Sequence, residues 1–131
     1  MSVPISMQVP SDFITSAALG GEDGGDETRV QLESLLMEGE TVVIATGGKD
    51  GGALFTDRRL IVRDQAGVFT KRAVIHFIRS AAIDGATIDA STPLAVRLVG
   101  RGFGGACLSF DGPIDPAKLA RWCAGAMSQA T

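Results

Sequence analysis

The chain has too few cysteines and histidines for a metal centre or a disulfide framework. Its 131 residues include two cysteines, Cys107 and Cys123, and one histidine, His76. The cysteines lie in apolar segments without metal-pair spacing, so they read as two buried small hydrophobes. His76 has no cysteine or carboxylate at ligand spacing and cannot hold a metal alone. No excess of positive charge exists either. Twelve Lys and Arg stand against fifteen Asp and Glu, a formal charge of −3. A nucleic-acid binder needs a clustered basic face, so no nucleic-acid partner is expected. No apolar run approaches the ~20 residues of a membrane span. The N-terminus has neither a basic n-region nor a long apolar core, so no signal peptide is visible and the cytoplasm is the expected location. Aromatic residues are few, with no tyrosine.

Glycine is abundant, with 17 residues. Glycine without a period favours tight turns and β-hairpins over long helices. A chain of this length suits one domain with one substantial core.

Residues 1–27 read as a flexible N-terminal arm followed by an acidic, Gly-rich linker. Val3, Ile5, Met7 and Val9 alternate with small or polar residues, a strand period. The segment is either a loose tail or an arm that pairs with a sheet edge, on another subunit for instance. The run Gly20-Gly21-Glu22-Asp23-Gly24-Gly25-Asp26 lacks the ligand order of a calcium loop and reads as linker. Thr28 with Gln31 fits a capping box for a short helix carrying Leu32, Leu35 and Leu36, with Gly39 as its stop.

Strand patterns follow over 41–46, 53–56, 60–63, 70–78, 82–88, 94–99 and 106–110, separated by Gly and Asp turns. The pair around Asp57-Arg58 is the clearest hairpin. Asp115 and Pro116 then open an amphipathic helix in which Leu119, Cys123 and Met127 recur beside Trp122 and Ala126. Such a helix plugs the open end of a barrel and buries Trp122. The letters G-x-G-x-x-G occur at Gly100–Gly105, but a strand follows rather than a helix, so the segment is a glycine-rich hairpin. Asp84, Asp89, Asp111 and Asp115 sit in turns, where Asp bonds backbone. No paired carboxylates, Ser-His-Asp order or phosphate loop appears, and nothing places Cys107 beside His76. The expectation is a protein that is not an enzyme and uses no cofactor or metal.

Three stretches carry a family resemblance. They are Leu36-Met37-Glu38-Gly39-Glu40, Leu54-Phe55-Thr56-Asp57-Arg58-Arg59-Leu60-Ile61 and Asp64-Gln65-Ala66-Gly67. Together with the order of helix, strands and closing helix, they resemble the bacterial pleckstrin-homology (PH) domain family over about Leu32 to Met127. The second stretch is similar to that family's Phe-Thr-Asn-x-Arg-Leu signature. The resemblance implies that Thr56 and Asp57 make the turn, Arg59 anchors it and Leu60 points inward, with Phe55 and Trp122 completing the structural signature. A second family stretch, Ile-Pro-Tyr-x-Ser-Ile, is matched by His76-Phe77-Ile78-Arg79-Ser80-Ala81 only at Arg79-Ser80.

The implied fold is mainly β (α+β). It is a PH-like, seven-stranded antiparallel barrel or sandwich over 28–131, capped by a C-terminal helix and preceded by a short N-terminal helix. The family's short, stand-alone branch implies a cyclic homo-oligomer, pentamers favoured, so the expected partner is the chain itself, together with an unidentified protein. The alternative is a small-ligand or lipid-headgroup binder using the open barrel rim. Its candidate residues are Lys49, Arg58, Arg63, Lys71 and Arg72, which Asp50, Asp57 and Asp64 dilute, so membrane binding is not favoured.

Overall fold

The computed structural model describes residues 13–48, 51–66 and 69–129. Its elements are β1 (Phe13–Leu19), α1 (Asp26–Glu33), β2 (Val42–Ala45), β3 (Gly52–Thr56), β4 (Arg59–Ala66), β5 (Arg72–Arg79), a 3-10 turn (Ser80–Ala82), β6 (Ile83–Asp89), β7 (Leu94–Gly100), β8 (Gly104–Phe110) and α2 (Pro116–Met127). They form two four-stranded sheets, ordered β2-β3-β4-β5 and β1-β8-β7-β6. This is the expected mainly β sandwich with its C-terminal helix.

The β3–β4 hairpin shows why the sequence folds this way. Ala53↔Val62, Leu54↔Ile61 and Phe55↔Leu60 are paired, so strand alternation divides the apolar run between two faces. Ala53, Phe55, Leu60 and Val62 enter the core between the sheets. Leu54 and Ile61 point to the other side and pack under Leu32 of α1. A strand covered on both faces has no polar alternation to show, which is why all of β3 is buried.

Helix α2 closes the sandwich. Asp115 caps it by accepting from the Ala117 N–H at 2.9 Å, and Pro116 opens it. Leu119, Trp122, Cys123 and Ala126 are buried on one face. The expected membership of Met127 in that stripe is corrected, since Ala126 fills the position and Met127 is 44% exposed. The Trp122 ring stands edge-on to Phe55 at 5.1 Å, and its Nε1–H donates to the Thr56 carbonyl at 2.7 Å.

Three expectations about the N-terminal region are corrected. Phe13–Leu19, read as part of a flexible arm, is a strand paired in parallel with β8, which makes eight strands and one parallel pair among the described residues. Ala17 and Leu19 are buried in the core, and the Thr15 hydroxyl donates to Asp64 of β4 at 3.0 Å. Residues 1–12 of the expected arm lie outside the described residues.

The glycine run is a close backbone crossing rather than a loose linker. A Cβ on Gly20 would sit 2.0 Å from the Gly47 carbonyl oxygen, and one on Gly24 would sit 2.6 Å from the Gly47 carbonyl carbon. Only glycine permits that approach.

The capping box does not form. α1 begins at Asp26 after Gly25, while Thr28 is buried and donates to the Gly48 carbonyl at 2.7 Å. Gly39, with φ +81°, lies in a turn beyond the helix end.

Cys123 is buried, and burial pushes its thiol pKa up. Cys107 is only half-buried, against the expectation of two shielded thiols. His76 pairs with Val62 in one sheet and Cys107 with Arg97 in the other. The pairing of Gly100 with Gly104 makes the G-x-G-x-x-G letters a β7–β8 hairpin.

Trp122→Ala removes the ring and an interior hydrogen bond, and thermal or urea denaturation should show a loss of about 3–5 kcal/mol. Labelling with a thiol reagent should modify Cys107 well before Cys123, and unfolding should equalise the two.

Candidate functional site

The densest polar construction lies where β3 turns into β4. Thr56 ends β3, and its hydroxyl oxygen accepts from the Arg58 and Arg59 N–H groups at 3.1 and 3.0 Å. A Thr side chain that holds the next turn in this way is a local alternative to ladder bonding. The same hydroxyl donates to Glu40 Oε2 at 2.6 Å. Arg59 meets that carboxylate side-on, with Nε to Oε2 and Nη2 to Oε1 both at 2.9 Å. Arg59 Nη2 also donates to the Leu35 carbonyl at 2.8 Å. The Met37 N–H donates to Glu40 Oε1 at 3.0 Å.

The Glu40 side chain is 0% exposed and that of Arg59 18%. A buried carboxylate holds its charge only when paired and hydrogen-bonded, and four donor groups meet that need here. The Arg59 hydrogen bonds hold the Glu40 pKa down at about 2, against the opposing effect of burial. Arg59 in turn lies 5.3 Å from the centre of the Phe77 ring on β5. Arg59 thus ties the turn to Glu40, a residue the strand patterns did not single out.

The three carbonyls of the turn accept from residues later in the chain. Trp122 Nε1 donates to that of Thr56, and Gln129 Nε2 to that of Asp57 at 3.4 Å. The Ser80 N–H donates to that of Arg58 at 3.0 Å. Asp57 Oδ1 accepts from the Thr41 N–H at 3.0 Å, and Thr41 O accepts from the Asp57 N–H. A shallow groove of about 290 Å³ runs beside this turn, between Val43 on β2 and Arg121 and Gly125 of the closing helix, with Gln129 just beyond that helix. Leu60 is fully buried, pointing inward.

The expected rim cations are not gathered in one place. Arg58 is exposed at the β3–β4 turn. Lys71 and Arg72 are exposed at the far end of β4, where Arg72 pairs with Ala66. Eight strand residues separate the two groups by about 25 Å. Arg63 is half-buried between them on β4, paired with Gly52 and Ile75. Lys49 lies outside the described residues. Among the described residues, no three His, Cys, Asp or Glu side chains come together as a metal would need. No helix there is long and apolar enough to cross a membrane.

The lowered Glu40 pKa makes a pH prediction with a fixed sign. A carboxylate whose folded pKa lies below its ordinary 4.5 contributes stability above that value and loses it as pH falls toward about 2. The contribution at neutral pH is about 3 kcal/mol. Glu40→Gln should therefore be destabilised at pH 7, by up to about 3–5 kcal/mol because the Arg59 charge is left without its partner. Urea midpoints measured between pH 5 and pH 2 should fall more steeply for the native chain than for the variant.

No family model matches the chain, and no curated protein sequence does. Solved structures do share its fold. One is a DUF1696 family protein with a pleckstrin-homology domain from Shewanella loihica PV-4, with a TM-score of 0.62 and 19% identity, over 86% of this chain and 98% of that one. Another is a pleckstrin homology domain from Shewanella amazonensis SB2B, with a TM-score of 0.58 and 20% identity, over 83% of this chain and 94% of that one. At these identities the likeness is one of fold. The β3–β4 hairpin, the second sheet and the Trp122 helix thus form a domain with the fold of bacterial pleckstrin-homology proteins.

Proposed function

We propose that the chain is a non-enzymatic, cytoplasmic interaction module that assembles with copies of itself into a closed ring, with five subunits the favoured count. One observation carries the reading. Both outer strands of the β2–β5 sheet display a large apolar side chain, Val43 on β2 at 46% exposure and Phe77 on β5 at 51%. Among the described residues, each of these strands has a hydrogen-bonded neighbour on one side only. An uncovered edge is a pairing surface. Two different edges on one molecule suit a head-to-tail contact, which closes into a ring when the rotation permits. The signature residues Thr56, Asp57 and Arg59 are engaged in holding the fold, which leaves the surface for partners. An unidentified protein is a further partner for the same edges.

The strand period of Val3 to Val9 makes the N-terminal segment a candidate cover for a neighbour's edge. β1 belongs to the domain's own sheet, so the informative deletion stops before it, at residue 12. Light scattering at tens of micromolar should find the full chain assembled and the chain without residues 1–12 shifted toward smaller species. A full-length monomer would favour a monomeric ligand binder instead. Saturable, salt-sensitive sedimentation with phosphoinositide vesicles would then point to the rim cations.

A further inference from the structure

We propose that copies also meet through Phe69, just before β5, which enters the hollow beside Pro93, Leu94 and Ile114 of the next copy. This rests on the self-assembly reading above and adds a loop-end contact to the sheet-edge one.

Phe69 is 100% exposed, so it has no place in its own molecule's core. The two exposed cations Lys71 and Arg72 follow it at the start of β5. Phe69 is therefore an aromatic anchor followed by positive charge. Aromatic residues that fill a pocket on the partner are the usual energetic centre of an interface.

The hollow has the opposite character. It measures about 590 Å³ and lies between the β6–β7 and β8–α2 connections, with Phe110 on its wall and Asp111 at its rim. Its lining is mainly apolar, which suits a phenyl ring. Two further acids adjoin it. Asp89 accepts from the N–H of Ser91, a lining residue, at 3.1 Å. Asp23 Oδ1 would lie 3.0 Å from a Cβ on Gly112, another lining residue. Asp89, Asp111 and Asp23 are all exposed.

One chain thus carries a basic aromatic projection and an acid-rimmed apolar recess. The two belong to different parts of the surface, so their contact is head-to-tail and generates a ring or a filament. Complementary charge steers such an encounter and rejects wrong orientations. A second copy is the partner that the charge pattern fits.

The test uses the full chain and light scattering. Phe69→Ser should weaken assembly by about tenfold or more in dissociation constant, while the dilute, unassembled chain keeps its melting temperature, because the side chain is fully exposed. Arg72→Asp should weaken it, Asp111→Arg should weaken it, and the double variant should recover a substantial part of the native affinity. Raising the salt should dissociate the native assembly. Native-like assembly by Phe69→Ser, or a double variant no better than its parents, would overturn this contact while leaving self-assembly intact. A native chain that stays monomeric would overturn both. Loss of binding to phosphatidylserine vesicles in Phe69→Ser, with assembly unchanged, would assign Phe69 to a membrane surface and overturn the contact.

Discussion

The fold depends on one buried carboxylate. Glu40 has no exposed side-chain surface, yet it stays ionised because Arg59, Thr56 and the Met37 backbone all donate to it. Removing Arg59 strands a charge in the interior, which is far more costly than losing a surface ion pair. Arg59 also bonds the Leu35 carbonyl, so the same group ties the segment after α1 to the central hairpin. The carboxylate therefore fixes the position of an irregular stretch that has no ladder of its own.

The constraint spreads through Thr56. Its hydroxyl sets the turn into β4, and its carbonyl receives Trp122 from the closing helix. Trp122 then packs on Phe55, which packs on Phe110 of the other sheet at 6.4 Å. Five residues thus connect the outer layer under α1, the sheet interior and the end cap. The turn is a structural junction, and the proposed partner surfaces lie elsewhere, at the sheet edges and the loop ends.

The hairpin and the closing helix were legible in the sequence because their signals are local. Asp57-Arg58 interrupts two apolar runs, and Asp115-Pro116 opens a helical period. β1 was not legible as part of the domain. Its Thr, Ser and Ala residues give a weak pattern, and its partner β8 lies some ninety positions later in parallel register. The glycine run has a linker's composition, and only the crossing at Gly47 gives it another meaning. Thr28 had a capping pattern, but its hydroxyl is taken by the Gly48 carbonyl, a tertiary contact that local rules do not see. Glu40 and Arg59 are nineteen residues apart, a spacing that no helix or strand rule marks. The exposure of Phe69 depends on where the segment before β5 stands, and sequence alone does not state it.

The Glu40 junction and the closing helix form one unit, because Thr56 is bonded to both Glu40 and Trp122. A double-mutant cycle of Arg59→Met and Trp122→Phe, read by urea unfolding at pH 7, tests that link most directly. Groups in one network should show a coupling energy of about 1 kcal/mol or more. Costs that add to within about 0.5 kcal/mol would show two independent features and contradict it.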